Sequence, residues 1–304
     1  MEIKRRYSPL IADLSAVRKV DIQRSMLSVI GNKRYACVAL RYGILYSQAI
    51  KWLGIRYVYS YLHNEMKIAL LGYGKMGHEI EKVAIDRGHE IVATIDNEEE
   101  WTSKAAALRT ADVAIDFSTP STAVGNIDRC FALHLPVVVG TTGWYDHLDA
   151  KIRECEEKGE SLFVASNFSI GVNILFDLNR RLAKLMNRYD NYSASMTETH
   201  HIHKLDAPSG TAVSLAKDIV GNIDRLEGWE LSAGKPASSH QLPVTAIREG
   251  EVPGIHEVTY ESEVDTIRIY HSAKSRKGFA VGAVLAAEFL KGRKGYHTMD
   301  EMMN

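Results

Sequence analysis

Cysteine is scarce in this chain: three in 304 residues, Cys37, Cys130 and Cys155, with no CxxC pair among them. An odd, widely spaced set excludes a disulfide framework and a thiolate metal site, and it fits a reducing, cytoplasmic setting. Net charge is nearly absent too, at −1, so composition gives no reason to expect a nucleic-acid or membrane partner. Long apolar runs are missing as well. Stretches such as YACVAL and YGILY are interrupted by arginines and are too short to span a bilayer. No internal repeat or low-complexity segment occurs. What remains is an ordinary globular composition, 45% hydrophobic and 25% charged, long enough for one large domain or two of usual size.

The near-neutral total hides an asymmetry. Residues 1–65 carry 11 Lys and Arg against 4 acids, about +7, which leaves about −8 for residues 66–304. This basic segment has no long apolar core followed by small residues, which argues against a secretory signal. It is Arg-rich and acid-poor like a transit peptide, yet Glu2, Asp13 and Asp21 run against that pattern. The simpler expectation is an appendage of unknown role, or a reading frame opened too early. Met66 stands directly before what reads as the first strand of a complete enzyme.

Residues 67–96, KIALLGYGKMGHEIEKVAIDRGHEIVATID, read as strand, turn, helix and strand. Lys67 to Leu71 is a short apolar run of the kind buried in parallel sheets. Gly72-Tyr73-Gly74-Lys75-Met76-Gly77 follows without a gap. Ile80, Val83, Ala84 and Arg87 then recur at helical spacing, and Gly88 is placed to end the helix. Glu90 to Ile95 forms the second strand, with Asp96 at its end. Gly72 allows a tight turn, Gly74 lets a pyrophosphate approach the backbone, and Gly77 lets helix pack on strand. The phosphates then meet a helix N-terminus, whose free N–H groups and dipole favour negative charge. Asp96, 19 residues after Gly77, is spaced for the adenosine ribose hydroxyls. A bare GxGxxG also occurs in ordinary turns; with both strands, the helix and the terminal acid in register, dinucleotide binding is the expectation. A carboxylate at 96 repels a 2′-phosphate and favours NADH. Lys75 offsets part of that repulsion and keeps NADPH among the candidates.

Three further strands end in small polar residues: 111–120 at Asp116-Phe117-Ser118, 135–144 at Gly140-Thr141-Thr142-Gly143, and 161–173 at Ser166-Asn167-Phe168. Ligands of open parallel sheets sit beyond the carboxyl ends of strands, although small residues also gather there because chains must turn. For Gly140, Thr141 and Thr142 cofactor contact is the stronger reading; for Ser118 the two stand level. After residue 173 the pattern changes. Residues 174–189 predict a helix through Leu175, Leu178, Leu182, Leu185 and Met186, and NYSASMTETHH alternates as a strand. Residues 243–273 alternate between turns at Glu249-Gly250 and Pro253-Gly254, which predicts antiparallel strands; 277–292 is a small-residue, apolar helix for a buried position. The fold class expected is α/β, a Rossmann-type dinucleotide-binding domain plus an α+β substrate and oligomerisation domain with a mostly antiparallel sheet. The expected boundaries are 1–65 for the extension, 66–168 with 277–304 for the first domain, and 169–276 for the second.

The densest chemistry lies in ETHHIHKLDAPSGTA, residues 198–212. Read as a strand, it turns His201 and His203 to one face and His200 to the other. Three histidines invite a zinc reading. Adjacent ligands on opposite faces do not share one ion, and no Cys or carboxylate stands at convincing spacing, so no metal is expected. A solvated strand end is the commonest fate of such residues. Function is favoured by Ser209-Gly210-Thr211, which precedes Ala212, Val213, Leu215, Ala216 and Ile219 at helical spacing, so Ser209 or a neighbour caps a helix. A helix N-terminus faced by Lys204 and imidazoles is a site for a carboxylate. An imidazole of ordinary pKa, about 6.5, exchanges protons near neutrality.

This segment resembles the substrate and catalytic signature of the dihydrodipicolinate reductase family, and GYGKMG, DFSTP, GTTGW and SNFSIGVN follow in that family's order over residues 66 to about 300. The resemblance implies reduction of 4-hydroxy-tetrahydrodipicolinate, a small dicarboxylate, by NADH or NADPH on the diaminopimelate route to lysine, in a cytoplasmic homotetramer. It makes His200 the acid/base residue, Lys204 the proton donor and His201 a substrate contact, and gives Gly210 and Thr211 the substrate carboxylate. It sets Gly140, Thr141 and Thr142, with Ser166, Asn167 and Phe168, along the nicotinamide side of the cofactor. Two departures bear on cofactor choice. The glycine loop is one residue shorter than in many relatives, and Asp96-Asn97 stands where some carry an acid and an arginine, which removes a handle on a 2′-phosphate. Residues 1–65 match nothing in the family. Two other readings compete: another two-domain dehydrogenase, which has no need of His-His-x-His-Lys before PSGT, and a non-catalytic redox sensor, which has no need of a proton-donating cluster.

Overall fold

The computed structural model describes residues 65–232, 238 and 240–304; the basic segment before residue 65, with Cys37, lies outside the described residues. In chain order the elements are β1 (Lys67–Leu71), α1 (Lys75–Asp86), β2 (Glu90–Ile95), α2 (Glu98–Ser103), α3 (Ala105–Leu108), β3 (Val113–Asp116), α4 (Pro120–Ala132), β4 (Val137–Val139), α5 (Leu148–Lys158) and β5 (Ser161–Val164). Then follow α6 (Ile170–Met186), β6 (Ser193–His200), α7 (Gly210–Val220), β7 (Gly228–Leu231), β8 (Gln241–Arg248), β9 (Ile255–Glu261), β10 (Thr266–Ser272), α8 (Lys277–Leu290), β11 (Gly295–His297) and α9 (Met299–Met303).

The first sheet has the order β11-β5-β4-β3-β1-β2, and every neighbouring pair is parallel. Covered on both faces, its central strands are continuously apolar, which is why β1 is buried from Ile68 through Leu71. On one face Ile68, Leu70, Ile115 and Phe163 pack with Ile80, Val83 and Ala84 of α1 and with Ala280, Ala283, Val284 and Ala287 of α8. On the other, Leu71, Val137, Val139 and Leu162 pack with Ala123, Ile127 and Phe131 of α4 and Cys155 of α5. The chain therefore leaves this sheet after β5 and returns to it with α8 and β11.

The second sheet has the order β10-β9-β6-β8-β7. Its antiparallel ladders, β10 with β9 and β9 with β6, pair seven residues each, against five and four in the parallel ladders of β6 with β8 and β7 with β8. Most of its paired length is antiparallel. The turns after β8 do not close a hairpin, however, because β6 lies between β8 and β9. Met196, Val244, Val258 and Tyr260 face α6 and α7, burying Leu175, Met186, Leu215 and Ile219. The helix expected at 174–189 starts earlier, at Ile170, because the Ser169 hydroxyl caps it by accepting from the Val172 N–H. Leu178 and Leu185 of that helix are exposed rather than part of the core. Among the described residues no helix is long and apolar enough to cross a membrane.

Candidate active site

The loops after β1, β3, β4 and β5 converge at the carboxyl edge of the first sheet. Gly72, at φ 87°, runs so close to β3 that a Cβ there would lie 2.3 Å from the Phe117 carbonyl oxygen. A Cβ on Gly77 would lie 2.5 Å from the Gly72 carbonyl oxygen. Gly74 differs: nothing lies within 4 Å of its Cβ position, and it begins α1 without a side-chain cap or an acid in the first turn. That leaves helix N–H donors and room together, which is what a pyrophosphate requires. Lys75 is exposed beside it, while Met76 and Tyr73 pack on the core below. Asp96 is exposed at the end of β2, and its Oδ1 accepts from the Tyr73 N–H at 2.9 Å, locking the glycine loop to the second strand. These residues fit a dinucleotide.

Asp116, which sequence reasoning noted only as a strand end, fixes the next two loops. Its buried carboxylate accepts from the Ser118 N–H and hydroxyl, from Asn126 Nδ2 at 2.7 Å and from the Thr141 hydroxyl. Burial raises its carboxyl, and the bonds from Thr141, Asn126 and Ser118 oppose the rise. Thr141 Oγ1 in turn accepts from the Ser118 N–H at 2.8 Å. Gly140 must be a glycine, because a Cβ would stand 2.2 Å from the Phe117 ring. Thr142 and Ser166 are exposed, whereas Phe168 is buried with its ring 5.6 Å from that of Phe117.

In the second sheet one face changes character along its length. Met196, Glu198 and His200 alternate onto the helix-covered side of β6, so the face passes from apolar to polar toward the end of the strand. Register sets Glu198 between Ala246 and His256, and His200 beside Arg248. Glu198 Oε1 accepts from the Ser209 N–H at 3.0 Å and from Arg248 Nη2 at 3.1 Å. Its Oε2 lies 3.2 Å from His200 Nδ1, close but without hydrogen-bond geometry. Burial alone would raise the Glu198 carboxyl; His200, Ser209 and Arg248 outweigh it and bring it down to about 2. Burial, and then the nearby His200, push His256 down to about 4. Ser209 caps α7, its Oγ accepting from the Ala212 N–H at 3.2 Å.

Sequence reasoning extended the strand through His203, but β6 stops at His200. The Lys204 N–H donates to the His201 carbonyl and the Ile202 N–H to that of Gly250, so residues 201–204 turn instead of alternating. His203 swings out to an exposed Glu251, while His201 and Lys204 stay half-buried. Lys204 Nζ is paired with Asp206 Oδ1 at 2.8 Å. Strand pairing nevertheless brings a carboxylate and two imidazoles together, with ligand atoms of Glu198, His200 and His256 within 4.8 Å of one another, a grouping that spacing along the chain does not show. An ion there would compete with the Arg248 guanidinium for the same carboxylate and with the Ser209 hydroxyl, 3.2 Å from His256 Nε2. Glu198 was detectable from period two alone; Arg248 and His256 reach the site through strand order.

The two halves of the site touch. Asn167 Nδ2, in the loop after β5, donates to Thr211 Oγ1 in the first turn of α7 at 3.2 Å, and Gly210 is exposed beside it. The carboxyl edge of the parallel sheet thus adjoins the helix end next to His200.

Known proteins resemble the chain in sequence and in fold. Residues 66–168 match the family model described as dihydrodipicolinate reductase, N-terminus, and residues 171–303 match that for the C-terminus. The chain is 49% identical over 240 residues to a 4-hydroxy-tetrahydrodipicolinate reductase from Christiangramia forsetii, covering 79% of this chain and 98% of the relative. A Staphylococcus aureus reductase of the same name is 36% identical over 251 residues, covering 78% and 100%. In fold the chain is similar to a dipicolinate-bound dihydrodipicolinate reductase from Paenisporosarcina sp. TG-14, with a TM-score of 0.63 at 22% identity, covering 77% of this chain and 97% of the other.

Proposed function

The chain belongs to the dihydrodipicolinate reductase family, and on that premise we infer that it reduces 4-hydroxy-tetrahydrodipicolinate to tetrahydrodipicolinate with a nicotinamide cofactor, on the diaminopimelate route to lysine. Loss of water from the 4-hydroxy ring leaves a conjugated imine, and a bound reduced nicotinamide supplies the hydride to C4. Electrons then move toward the ring nitrogen, and the neighbouring carbon takes a proton. His200 and Lys204 hold and deliver that proton. Lys204 also balances carboxylate charge, His201 contacts the substrate, and Gly210 with Thr211 holds one carboxylate at the N-terminus of α7. Gly72 to Gly77 and Asp96 hold the dinucleotide, with Gly140, Thr141, Thr142, Ser166, Asn167 and Phe168 toward the nicotinamide. The observation that carries the reading is the 3.2 Å contact of Asn167 with Thr211, because hydride and proton must arrive at one ring.

The test is oxidation of reduced cofactor with substrate made in place by a coupled synthase. H200Q and K204A each lower kcat by ~10²-fold or more if they serve as acid–base groups. Near-normal turnover in both overturns the assignment. Cofactor binding without turnover in the unmutated protein favours a sensor.

The cofactor assigned is NADH ahead of NADPH. Asp96 is followed within one turn by Glu98, Glu99 and Glu100, and two nearby cations are engaged by these acids, Lys104 by Glu100 and Arg129 by Glu98, each at 2.6 Å, which leaves exposed Lys75 to offset part of the negative charge. That surface repels a 2′-phosphate. The reading divides the chain into a dinucleotide part, 66–168 with 277–304, and a substrate part, 169–276. It carries a homotetramer and a cytoplasmic setting. Exposed Ile174, Leu178 and Leu185 on α6, with Ile267 and Tyr270 on the edge strand β10, supply apolar surface for subunit contacts, which sedimentation measures directly.

A further inference from the structure

Glu198 has surroundings that substrate binding and proton delivery, as assigned above, leave unexplained. Its side chain is wholly buried. Oε1 is satisfied twice, by the Ser209 N–H and by Arg248 Nη2. Oε2 is buried with no hydrogen-bond partner, and so is His200 Nδ1, 3.2 Å away. A buried acceptor and a buried imidazole nitrogen without partners are each unfavourable, and a small ring rotation makes them partners of one another. Such bonds are often loose in a ligand-free site and tighten when it fills.

The other groups around this carboxylate leave that role to His200. From β9, His256 Nε2 is 3.8 Å from Oε2 and already lies 3.2 Å from the Ser209 hydroxyl. From β8, Arg248 holds the opposite oxygen and also donates to the carbonyls of Lys204 and Asp206, so it secures the turn that bears Lys204. From that turn, Lys204 is paired with Asp206. His271 and Lys204 act on His256 through space rather than on Glu198 by contact.

We propose that Glu198 is a positioning residue for the reductase reaction: its free oxygen accepts a hydrogen bond from the Nδ1–H of His200, so the ring presents Nε2 as the nitrogen that exchanges protons, while its other oxygen ties that ring to the end of α7 where the substrate carboxylate binds. The inference rests on the proton role of His200. Nothing is transferred to Glu198; it stays ionised, with Arg248 as its counter-charge, and the proton that moves is the one on Nε2. The Nε2 edge faces Gly254, where a Cβ would stand 3.0 Å from that nitrogen, so a side chain at 254 would crowd the exchanging atom.

E198Q is nearly isosteric and keeps the Oε1 acceptor, but presents an N–H toward Nδ1 and reverses the tautomer. The expected result is a kcat ~10²-fold lower with KM for the substrate within ~3-fold, and ring ¹⁵N shifts of His200 that move from the Nδ1–H to the Nε2–H pattern. In an H200Q background, E198Q is expected to cost nothing further. A second independent ~10²-fold loss there, or an unchanged kcat in E198Q alone, overturns the proposal. Near-normal turnover in H200Q instead overturns the underlying role of His200, so the two failures are distinguishable. If E198Q does not fold, the unmutated protein decides: neutral His200 with its proton on Nδ1 supports the proposal, and a proton on Nε2 sinks it.

Discussion

Gly282, in the middle of α8, offers a substitution in which two effects oppose one another. An Ala in a helix interior is favoured over Gly by about 1 kcal/mol. Here, though, the Cβ would lie 1.7 Å from the Phe168 carbonyl oxygen and 2.7 Å from its carbonyl carbon. Ordinary contact needs roughly twice the first distance, and both obstacles are backbone, so no rotamer change relieves them. Either α8, with its Ala280, Ala283 and Val284, lifts off Ile115, Val138 and Phe163 of the sheet, or the loop bearing Phe168 gives way. Overpacking of this kind costs about 1–3 kcal/mol and sometimes more. At the upper end, net of the helix gain, G282A is expected to destabilise by about 2 kcal/mol. For a chain of this size that lowers Tm by about 4–8 °C. Because Asn167 precedes Phe168 and bonds Thr211, the variant is also expected to raise KM for cofactor or substrate. Calorimetry with steady-state kinetics tests both. A Tm within ~1 °C of the parent and unchanged KM values would refute the close packing of α8 on this loop.

Two further expectations concern charge. D96N keeps an acceptor for the Tyr73 N–H but removes one charge from the acidic surface, worth about 1 kcal/mol or more against a 2′-phosphate; the NADH-to-NADPH ratio of kcat/KM is expected to fall ~5-fold or more, and an unchanged ratio counts against Asp96 as the discriminating residue. Glu288 is raised by burial, yet hydrogen bonds from His89 and Arg87 outweigh that and hold it down at about 2. A depressed carboxyl contributes stability that is present above its unfolded value, 4.5, and is lost as pH falls from there toward about 2. Urea unfolding is expected to lose ~2 kcal/mol from this group across that window, and E288Q is expected to flatten that part of the profile; equal slopes in parent and variant would exclude the triad as its source.

The parts of the fold set by local patterning were legible from the residues. The strand, glycine turn, helix and second strand from Lys67 to Asp96 follow from apolar periodicity and glycine position, and both govern only near neighbours in the chain. Helix α7 and its Ser209 cap were readable for the same reason. Strand order was not. Turns after Arg248 suggest antiparallel strands over 243–273, whereas β8 pairs in parallel with β6 and β7, and β6 sits between β8 and β9; no local signal distinguishes the two arrangements. That gap explains the missed half of the site. Glu198 shares a face with His200 by period two, but Arg248 and His256 arrive only once β8 and β9 flank β6. The end of β6 was also misjudged, because alternation continues through His203 in the sequence although Ile202 pairs with the Gly250 carbonyl in a turn.

Two ion pairs near the site differ in what they permit. Lys204 is paired with Asp206, whose side chain is 58% exposed, and pairs of this kind are worth about 0–1 kcal/mol. Glu198, at 0% exposure, is paired with Arg248 at 20%, and removing the guanidinium costs about 3–5 kcal/mol because the carboxylate is left buried alone. On the proposed role of Lys204, a substrate carboxylate would exchange with Asp206 at little cost and leave the Glu198 pair intact. Arg248 bonds the backbone carbonyls of Lys204 and Asp206 as well as Glu198, so the exchangeable cation is carried on a turn that the fixed pair holds still. The ammonium is free to change partners while its backbone keeps its place beside His200.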